Sequence, residues 1–331
     1  MEIFLKTPED GETLPLLRPE HIAYIKNPTP ASVSDIDWLH LEEQSLDLSY
    51  PLDLVFTYEP KCDARIIVQP VGDADDLRPM VFEGKNGQAV VWNLMIGTEY
   101  EWYAEAYGEK SEKRSFFTSP QFPRMLYVDG ITNVRDFGGF RTADGKIIRQ
   151  HRIYRTSEMD NHAVITEEGK KTFYDLGIKT DVDFREEGAR KVVLDKSRVR
   201  WVNFPLSAYD KIFCDEQKRL YKESFEMLTD ESVYPLICHC WGGIDRTGTW
   251  LFILGNLLGV PADDLMLDYE LSSFSRWGKR SRTSDLFTGL LNGLYVYDCD
   301  IRTACVNFLL DCGLTSETLE KIRKMLLKPL L

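Results

Sequence analysis

No run of residues in this chain is long and apolar enough to cross a bilayer, so stable membrane insertion is not expected. The start, Met-Glu-Ile-Phe-Leu-Lys-Thr-Pro-Glu-Asp, has no basic segment followed by an apolar core and is unlike a signal peptide. Seven cysteines, an odd number without framework spacing, argue against a disulfide-built fold and for a reducing compartment. The chain therefore reads as cytoplasmic, or as secreted if a leader was removed. Positive charge is in short supply: 40 Lys and Arg against 53 Asp and Glu leave a net charge of −13. Nucleic acid is thereby excluded as the main partner, because a phosphate backbone demands a basic face. Any anionic ligand must be drawn in by local charge.

What is present suits a soluble globular protein, with 43% hydrophobic and 28% charged residues over 331 positions. That length accommodates two domains. The first half alternates apolar and polar residues. Leu52, Leu54, Phe56 and Tyr58 share one face, as do Ala64, Ile66 and Val68, and Trp102, Ala104 and Ala106. Short alternating runs broken by turn residues predict half-buried antiparallel strands. Asn86-Gly87 predicts a hairpin turn. Leu94 to Trp102, with Tyr100, reads as a tyrosine corner of a β-sandwich. Residues 1–120 are thus expected to form an all-β sandwich resembling fibronectin type III, acting as a structural or tethering module. His21 and His40 read as packing or surface residues, and Pro15, Pro19, Pro28 and Pro30 as turns. Thr118 to Arg124 reads as the boundary.

From residue 124 to 331 strands alternate with helices, predicting an α/β domain whose central sheet is flanked by helices. Strands are expected over 152–154, 178–184, 201–205 and 235–239. Helices are expected over 166–176, 216–229, 247–258, 263–274, 302–310 and 316–327, the last with Ser316 as N-cap. Leu236-Ile-Cys-His-Cys240 reads as an inner strand. The helix from Thr247 is apolar almost all round and is expected to be buried, ending at Gly259 and Pro261.

Between that strand and that helix stands Cys240-Trp-Gly-Gly-Ile-Asp-Arg246-Thr247. A strand, a tight loop and a helix start aim backbone N–H groups at one point, where an anion is favoured. A cysteine sharing that field ionises more easily, its pKa falling from about 8.5 toward roughly 3.5–7.5. Cys240 is therefore the candidate nucleophile, attacking phosphorus to form a cysteinyl-phosphate. Arg246 offers a planar fork for two phosphoryl oxygens. Gly242 and Gly243 allow the turn and close backbone approach. Trp241 and Ile244 complete the candidate substrate-binding loop. The Thr247 hydroxyl is placed to hydrogen-bond the sulfur, and His239 to anchor the loop through its ring nitrogens. No metal is expected in the site.

These residues resemble the loop of the protein tyrosine phosphatase superfamily, His-Cys-x-x-Gly-x-x-Arg-Ser/Thr, at His239, Cys240, Gly243, Arg246 and Thr247. Ile131-Thr-Asn-Val-Arg-Asp-Phe-Gly-Gly and Ile153-Tyr-Arg-Thr-Ser157 resemble motifs of the bacterial atypical tyrosine phosphatases, as do Asp183-Phe-Arg185 and Asp268-Tyr-Glu-Leu271. The resemblance implies phosphomonoester hydrolysis without a cofactor. Its substrates would be phosphotyrosine proteins, phosphorylated small molecules or phosphoinositide lipids. Arg135 and Asp136 are expected to brace the catalytic loop; Arg185 would brace it or touch substrate.

Two candidates stand for the general acid. Asp245 lies inside the loop, where the atypical family is suggested to keep its acid, and is ranked first. Asp210, in Leu206-Ser-Ala-Tyr-Asp210 after a strand, is the other. Ile244 stands where the family usually has lysine, which removes a cation and weakens the case for polyphosphorylated inositides. Arg276, Lys279, Arg280 and Arg282 form a basic cluster, read as a solvated loop in preference to a phosphate-binding rim. Cys238 and Cys240 would face the same way on a strand, near the limit for a reversible disulfide. The reading from a different class is a phosphate-recognising pseudophosphatase or interaction module.

Overall fold

The computed structural model describes residues 2–26, 47–72, 79–186 and 192–329. Pro28, Pro30 and His40 lie outside the described residues. The chain groups into two compact units, Met1–Pro19 with Pro51–Tyr127, and Glu20–Tyr50 with Val128–Leu331.

The first unit carries two sheets. In one, β3 (Leu54–Glu59) pairs antiparallel with β1 (Phe4–Thr7) and β6 (Gln88–Val91). The other runs β2 (Glu12–Leu14), β9 (Arg114–Thr118), β7 (Glu99–Ala106), β4 (Ala64–Pro70), β5 (Met80–Gly84), with β8 (Glu109–Lys110) on β7. The alternation seen in sequence is the burial pattern: Leu54, Phe56 and Tyr58 are buried, and β7 buries every second residue. These inward residues from both sheets share one core, in which the Phe56 ring sits 4.8 Å from Trp102 and 5.4 Å from Phe116. Asn86 and Gly87 both take positive φ, as their hairpin turn requires. The Tyr100 hydroxyl accepts from the Met95 N–H at 2.8 Å. β10 (Arg124–Met125) lies near the end of this unit.

The second unit is built on a sheet whose strands run β11 (Arg135–Asp136), β13 (Ile153–Thr156), β16 (Leu236–His239), β14 (Thr180–Asp183), β15 (Arg200–Asn203). β13, β16, β14 and β15 are parallel, and β11 is antiparallel to β13. Thus Leu236–His239 is an inner strand, buried along its length. A separate ladder joins β12 (Lys146–Ile148) to β17 (Leu327–Pro329). The helices are α1 (Pro19–Lys26), α2 (Glu167–Asp175), α3 (Asp215–Met227), α4 (Asp245–Leu258), α5 (Ala262–Leu271), α6 (Asp285–Leu294), α7 (Ile301–Asp311) and α8 (Ser316–Leu326). Every residue of α4 from Thr247 to Leu258 is buried, and Gly259 ends it with φ 89°.

Four features differ from expectation, the first being that Pro19, read as a turn in an all-β stretch, opens helix α1, because a proline is tolerated in a first helical turn, where its missing N–H costs no bond. Helix α6 is absent from the sequence reading because Gly289 and Gly293 interrupt its apolar stripe. Its serine cap is nonetheless formed, Ser284 Oγ accepting from the Phe287 N–H. In α8 the N-cap is Thr315, not Ser316, because the Thr315 hydroxyl accepts from the Thr318 N–H. Glu20–Tyr50 groups with the second unit and not with the strands before residue 120. Buried His21 explains this, with its Nε2 2.7 Å from the Leu48 carbonyl and its ring 4.9 Å from Phe274. So does Tyr24, which donates to Glu270 at 2.7 Å.

Candidate active site

Cys240 follows β16 directly, and β16 lies between β13 and β14, with Thr156, His239 and Asp183 in register at their ends. The cysteine therefore stands at the carboxyl edge of a parallel sheet, where open α/β sheets place their ligands. From there the chain must turn back into α4 within a few residues. Gly243 makes the turn at φ 65°, and a Cβ there would collide with the Thr156 carbonyl, so no other residue fits. The loop carbonyls are tied down from behind. Arg155 Nη2 donates to Gly243 O at 2.6 Å, and Asn133 Nδ2 to Gly242 O at 3.0 Å and Gly243 O at 3.3 Å. The Glu158 N–H holds the Trp241 carbonyl at 2.9 Å. With the carbonyls so held, the N–H groups of Gly242 through Thr247 donate to no acceptor among the described residues. Several of them are the free donors of a helix start.

Beneath the loop lie arginines and carboxylates removed from solvent. Arg135 Nε donates to Asp268 Oδ1 at 2.8 Å, and Arg155 Nη1 to Asp268 Oδ2 at 2.5 Å. Arg135 also reaches the Asn133 side chain and Ser272 Oγ. Burial pushes Asp268 up, but the two guanidinium groups outweigh it and hold the carboxyl below its usual range. Burial, with the charge of Arg155, lowers Arg135 to about 10. A second cluster centres on Arg185, 1% exposed, which meets Asp183 at 2.9 Å, Glu158 at 2.9 Å and Asp160 at 2.6 Å. His239 stands next to it, with Nε2 3.1 Å from Asp181 Oδ1 and Nδ1 3.2 Å from the Cys240 carbonyl. The Asp181 contact has the distance of a charge pair but not the line of a hydrogen bond. Burial works against the imidazolium, yet Asp181 and Asp183 win, and His239 is raised to about 9.

The rim is more open. Arg246 pairs with Glu186 at 2.9 Å, their side chains 25% and 56% exposed. Asp245, the first residue of α4, receives Arg280 on both oxygens, Nε to Oδ1 at 2.9 Å and Nη2 to Oδ2 at 3.1 Å. The Tyr209 hydroxyl donates to the same Oδ1. Burial raises the Asp245 carboxyl, but Arg280 above all, with Tyr209 and Arg246, brings it below the ordinary value. His162 sits edge-on to Trp241 and Trp277, each 5.6 Å away, and Trp277 packs on Gly242.

Residues 126–292, just over half of the chain, match the pattern of the tyrosine phosphatase family. The chain belongs to the tyrosine phosphatase family. A Cupriavidus necator protein, provisionally named a tyrosine-protein phosphatase, is 30% identical over 171 residues, 44% of this chain and 61% of its own length. This family member therefore spans about three fifths of that curated relative. Among solved structures, Pseudomonas aeruginosa TpbA in complex with pTyr is similar at 17% identity and a TM-score of 0.35, over 52% of this chain and 91% of its own. The core catalytic domain of the PP-IP phosphatase SIW14 from Saccharomyces cerevisiae shows 15% identity and a TM-score of 0.32, over 45% of this chain and 80% of its own. At those scores neither adds to the family match.

Within this family member, Cys240, Gly242, Gly243, Arg246 and Thr247 converge on one turn, with His239 beneath it. Other expected site residues sit differently. Ile244 is fully buried and packs on Gly242, so its side chain is core and not pocket lining. The buried Thr247 hydroxyl makes no hydrogen bond to Cys240 or to any other described group. Asp136 accepts from the Gly138 and His151 N–H groups at 2.7 Å each, bracing the segment after β11. Arg185 is committed to its three carboxylates. Exposed Asp210 lies against Gly289 of α6, 3.5 Å from where a Cβ would stand. The basic cluster is not a loop of free cations. Arg280 holds Asp245, Arg282 holds Glu270 at 2.7 Å and Arg276 donates to the His162 carbonyl, while Lys279 is exposed. Asn133, Arg155, Tyr209 and Glu186 were not picked as site residues from sequence. The first two lie in the 131–139 and 153–157 motifs, which carry the only local signal for them. All seven cysteines are free, and burial pushes the Cys238 thiol up.

Among the described residues, no helix is long and apolar enough to cross a membrane.

Proposed function

We propose that the chain hydrolyses phosphomonoesters through a cysteinyl-phosphate on Cys240, with phosphotyrosine proteins the first substrate class and phosphoinositides or other small phosphates a second. The observation that carries the reading is the set of unpartnered N–H groups from Gly242 to Thr247 beside Cys240, with Arg246 at the rim. The phosphoryl oxygens take those donors and the Arg246 fork, displacing Glu186. Cys240 sulfur attacks phosphorus, the P–O bond to the alcohol breaks, and the departing oxygen takes a proton. Water then attacks phosphorus, the P–S bond breaks, and inorganic phosphate leaves. The Thr247 hydroxyl, without a partner in its buried place, is available to the departing sulfur in that second step. His239, charged between two aspartates, fixes the Cys240 carbonyl and takes no proton.

Asp245 is the acid on this reading and Asp210 the alternative. Asp245 must take up a proton that Arg280 and Tyr209 oppose in the unliganded chain. Asp245→Asn is expected to lose turnover of aryl phosphates with poor leaving groups while Asp210→Asn retains it; the reverse pattern transfers the role to Asp210.

We read the strands of residues 1–120, the Glu20–Tyr50 stretch apart, as a fibronectin type III-like sandwich and 124–331 as the catalytic domain. The Tyr100–Met95 bond supports the first. Para-nitrophenyl phosphate turnover that vanishes in Cys240→Ser tests the activity; equal rates in the two proteins would leave phosphate recognition without catalysis. A panel of phosphotyrosine and phosphoserine peptides and mono- and polyphosphoinositides then ranks the substrates.

A further inference from the structure

We infer that Arg280, reaching in from the segment after α5, is a positioning residue for Asp245: with Tyr209 it clamps the carboxylate at the start of α4 and decides when Asp245 can take up a proton. The kinetic arm of this inference rests on the reading of Asp245 as the acid; the clamp itself does not.

Both ends of the clamp are built in place. Arg280 meets Asp245 side-on, one nitrogen to each oxygen, the strongest arrangement open to this pair. Its backbone is pinned on both sides by Ser273: the Arg280 N–H donates to Ser273 Oγ at 2.8 Å, and that hydroxyl donates to the Arg280 carbonyl at 3.1 Å. Its own Nη1 is steadied by the Lys279 carbonyl at 3.2 Å. Tyr209 is buried and holds φ 58°, a conformation unusual for a bulky residue and found where surroundings over-determine the chain. Its N–H donates to Thr249 Oγ1 on α4 at 3.2 Å, and its hydroxyl lies 2.8 Å from that of Tyr269 on α5. The charged and titratable groups facing Asp245 are thus Arg280 from the segment after α5, Tyr209, Tyr269 behind it, and Arg246 from α4 itself. All favour the anion or are neutral.

The clamp opposes proton uptake while the site is empty of phosphate. A phosphate dianion seated against Arg246 places negative charge next to Asp245. It raises the proton affinity of the carboxylate and competes for Arg280. Proton donation is thereby coupled to occupancy of the loop.

The test uses the full chain with Arg280→Met, Arg280→Lys and Tyr209→Phe. Carbon-13 NMR of aspartate carboxyls, with Asp245 assigned by its loss in Asp245→Asn, follows the titration directly. In parallel, kcat/KM for an aryl phosphate is measured against pH. In Arg280→Met the Asp245 titration is expected to move to higher pH and the basic limb with it. The rate above the limb then rises about tenfold for each unit moved. Arg280→Lys keeps the charge without the fork and falls between, and Tyr209→Phe moves in the same direction by less. A titration that moves while the limb stays keeps the clamp and removes Asp245 as the acid. An Asp245 titration unmoved in Arg280→Met overturns the inference; if that variant does not fold, an unmoved titration in both Arg280→Lys and Tyr209→Phe does the same.

Discussion

The arginines beneath the loop and those on its rim make the same kind of bond and do different things. Arg135, Arg155 and Arg185 are at most 1% exposed and face buried carboxylates. Arg246 and Arg280 have side chains 25% and 26% exposed and face carboxylates that water also reaches. A buried charge deprived of its partner is left with a desolvation cost that nothing offsets, so those pairs cannot open during a reaction cycle. An exposed pair loses little when it opens, because water screens both ions. On the proposed reading a phosphate replaces Glu186 on Arg246, while Asp268 stays on Arg155. Burial, more than residue type, separates the arginines that shape the loop from the ones that exchange partners over it.

That contrast can be sharpened or broken by experiment. The largest effect is expected in catalysis: Cys240→Ser brings turnover to background, and on the rim Arg246→Ala lowers kcat by about 10²–10³, with urea midpoints close to wild type. Beneath the loop, Arg155→Met is expected to cost about 3–5 kcal/mol in unfolding free energy, since it strips Asp268 and the Gly243 carbonyl of a buried partner. A Met variant as stable as wild type would erase the distinction. Gly243→Ala should cost about 1–3 kcal/mol and most of the activity, because the residue must leave positive φ and clear Thr156.

His239 gives a pH signature to the buried set. Its folded value of about 9 lies above the ordinary value of about 6.5. The native state therefore binds the proton more tightly, and the added stability is full below about pH 6.5 and lost as pH rises through 9. Urea midpoints should fall across that window, and His239→Gln should flatten the fall. The smallest effect is Glu186→Gln, where an exposed pair is removed. Stability should change by less than about 1 kcal/mol, while inorganic phosphate should inhibit more tightly.

Much of the fold was legible because it is local. Alternation marked β3, β4 and β7, and the apolar run from Thr247 marked α4 as buried. Helix α6 was not legible, because its glycines weaken the local signal and packing restores it. The Thr315 cap was missed by one residue, since Thr-Ser offers two hydroxyls and only the helix start chooses between them. In the site, Cys240, the glycines and Arg246 could be read from one short stretch. Ile244 could not, because a residue inside a loop is free to face the core or the ligand, and only the packing against Gly242 decides. The basic cluster misled for a related reason: four cations in seven residues look alike in sequence, yet Arg280 and Arg282 each find a carboxylate many residues away.

By itself the sequence determined the turn from strand to helix around Cys240 and the chemistry such a turn favours, because glycine conformation, strand burial and helix start all act within a few bonds. Tertiary structure decided which carboxylate meets which arginine: Asp268 under Arg135 and Arg155, the three acids around Arg185, Glu186 on Arg246, Asp245 in the grip of Arg280. A charge carries no record of its partner, and only the packing of distant elements selects one and sets how much water remains between them.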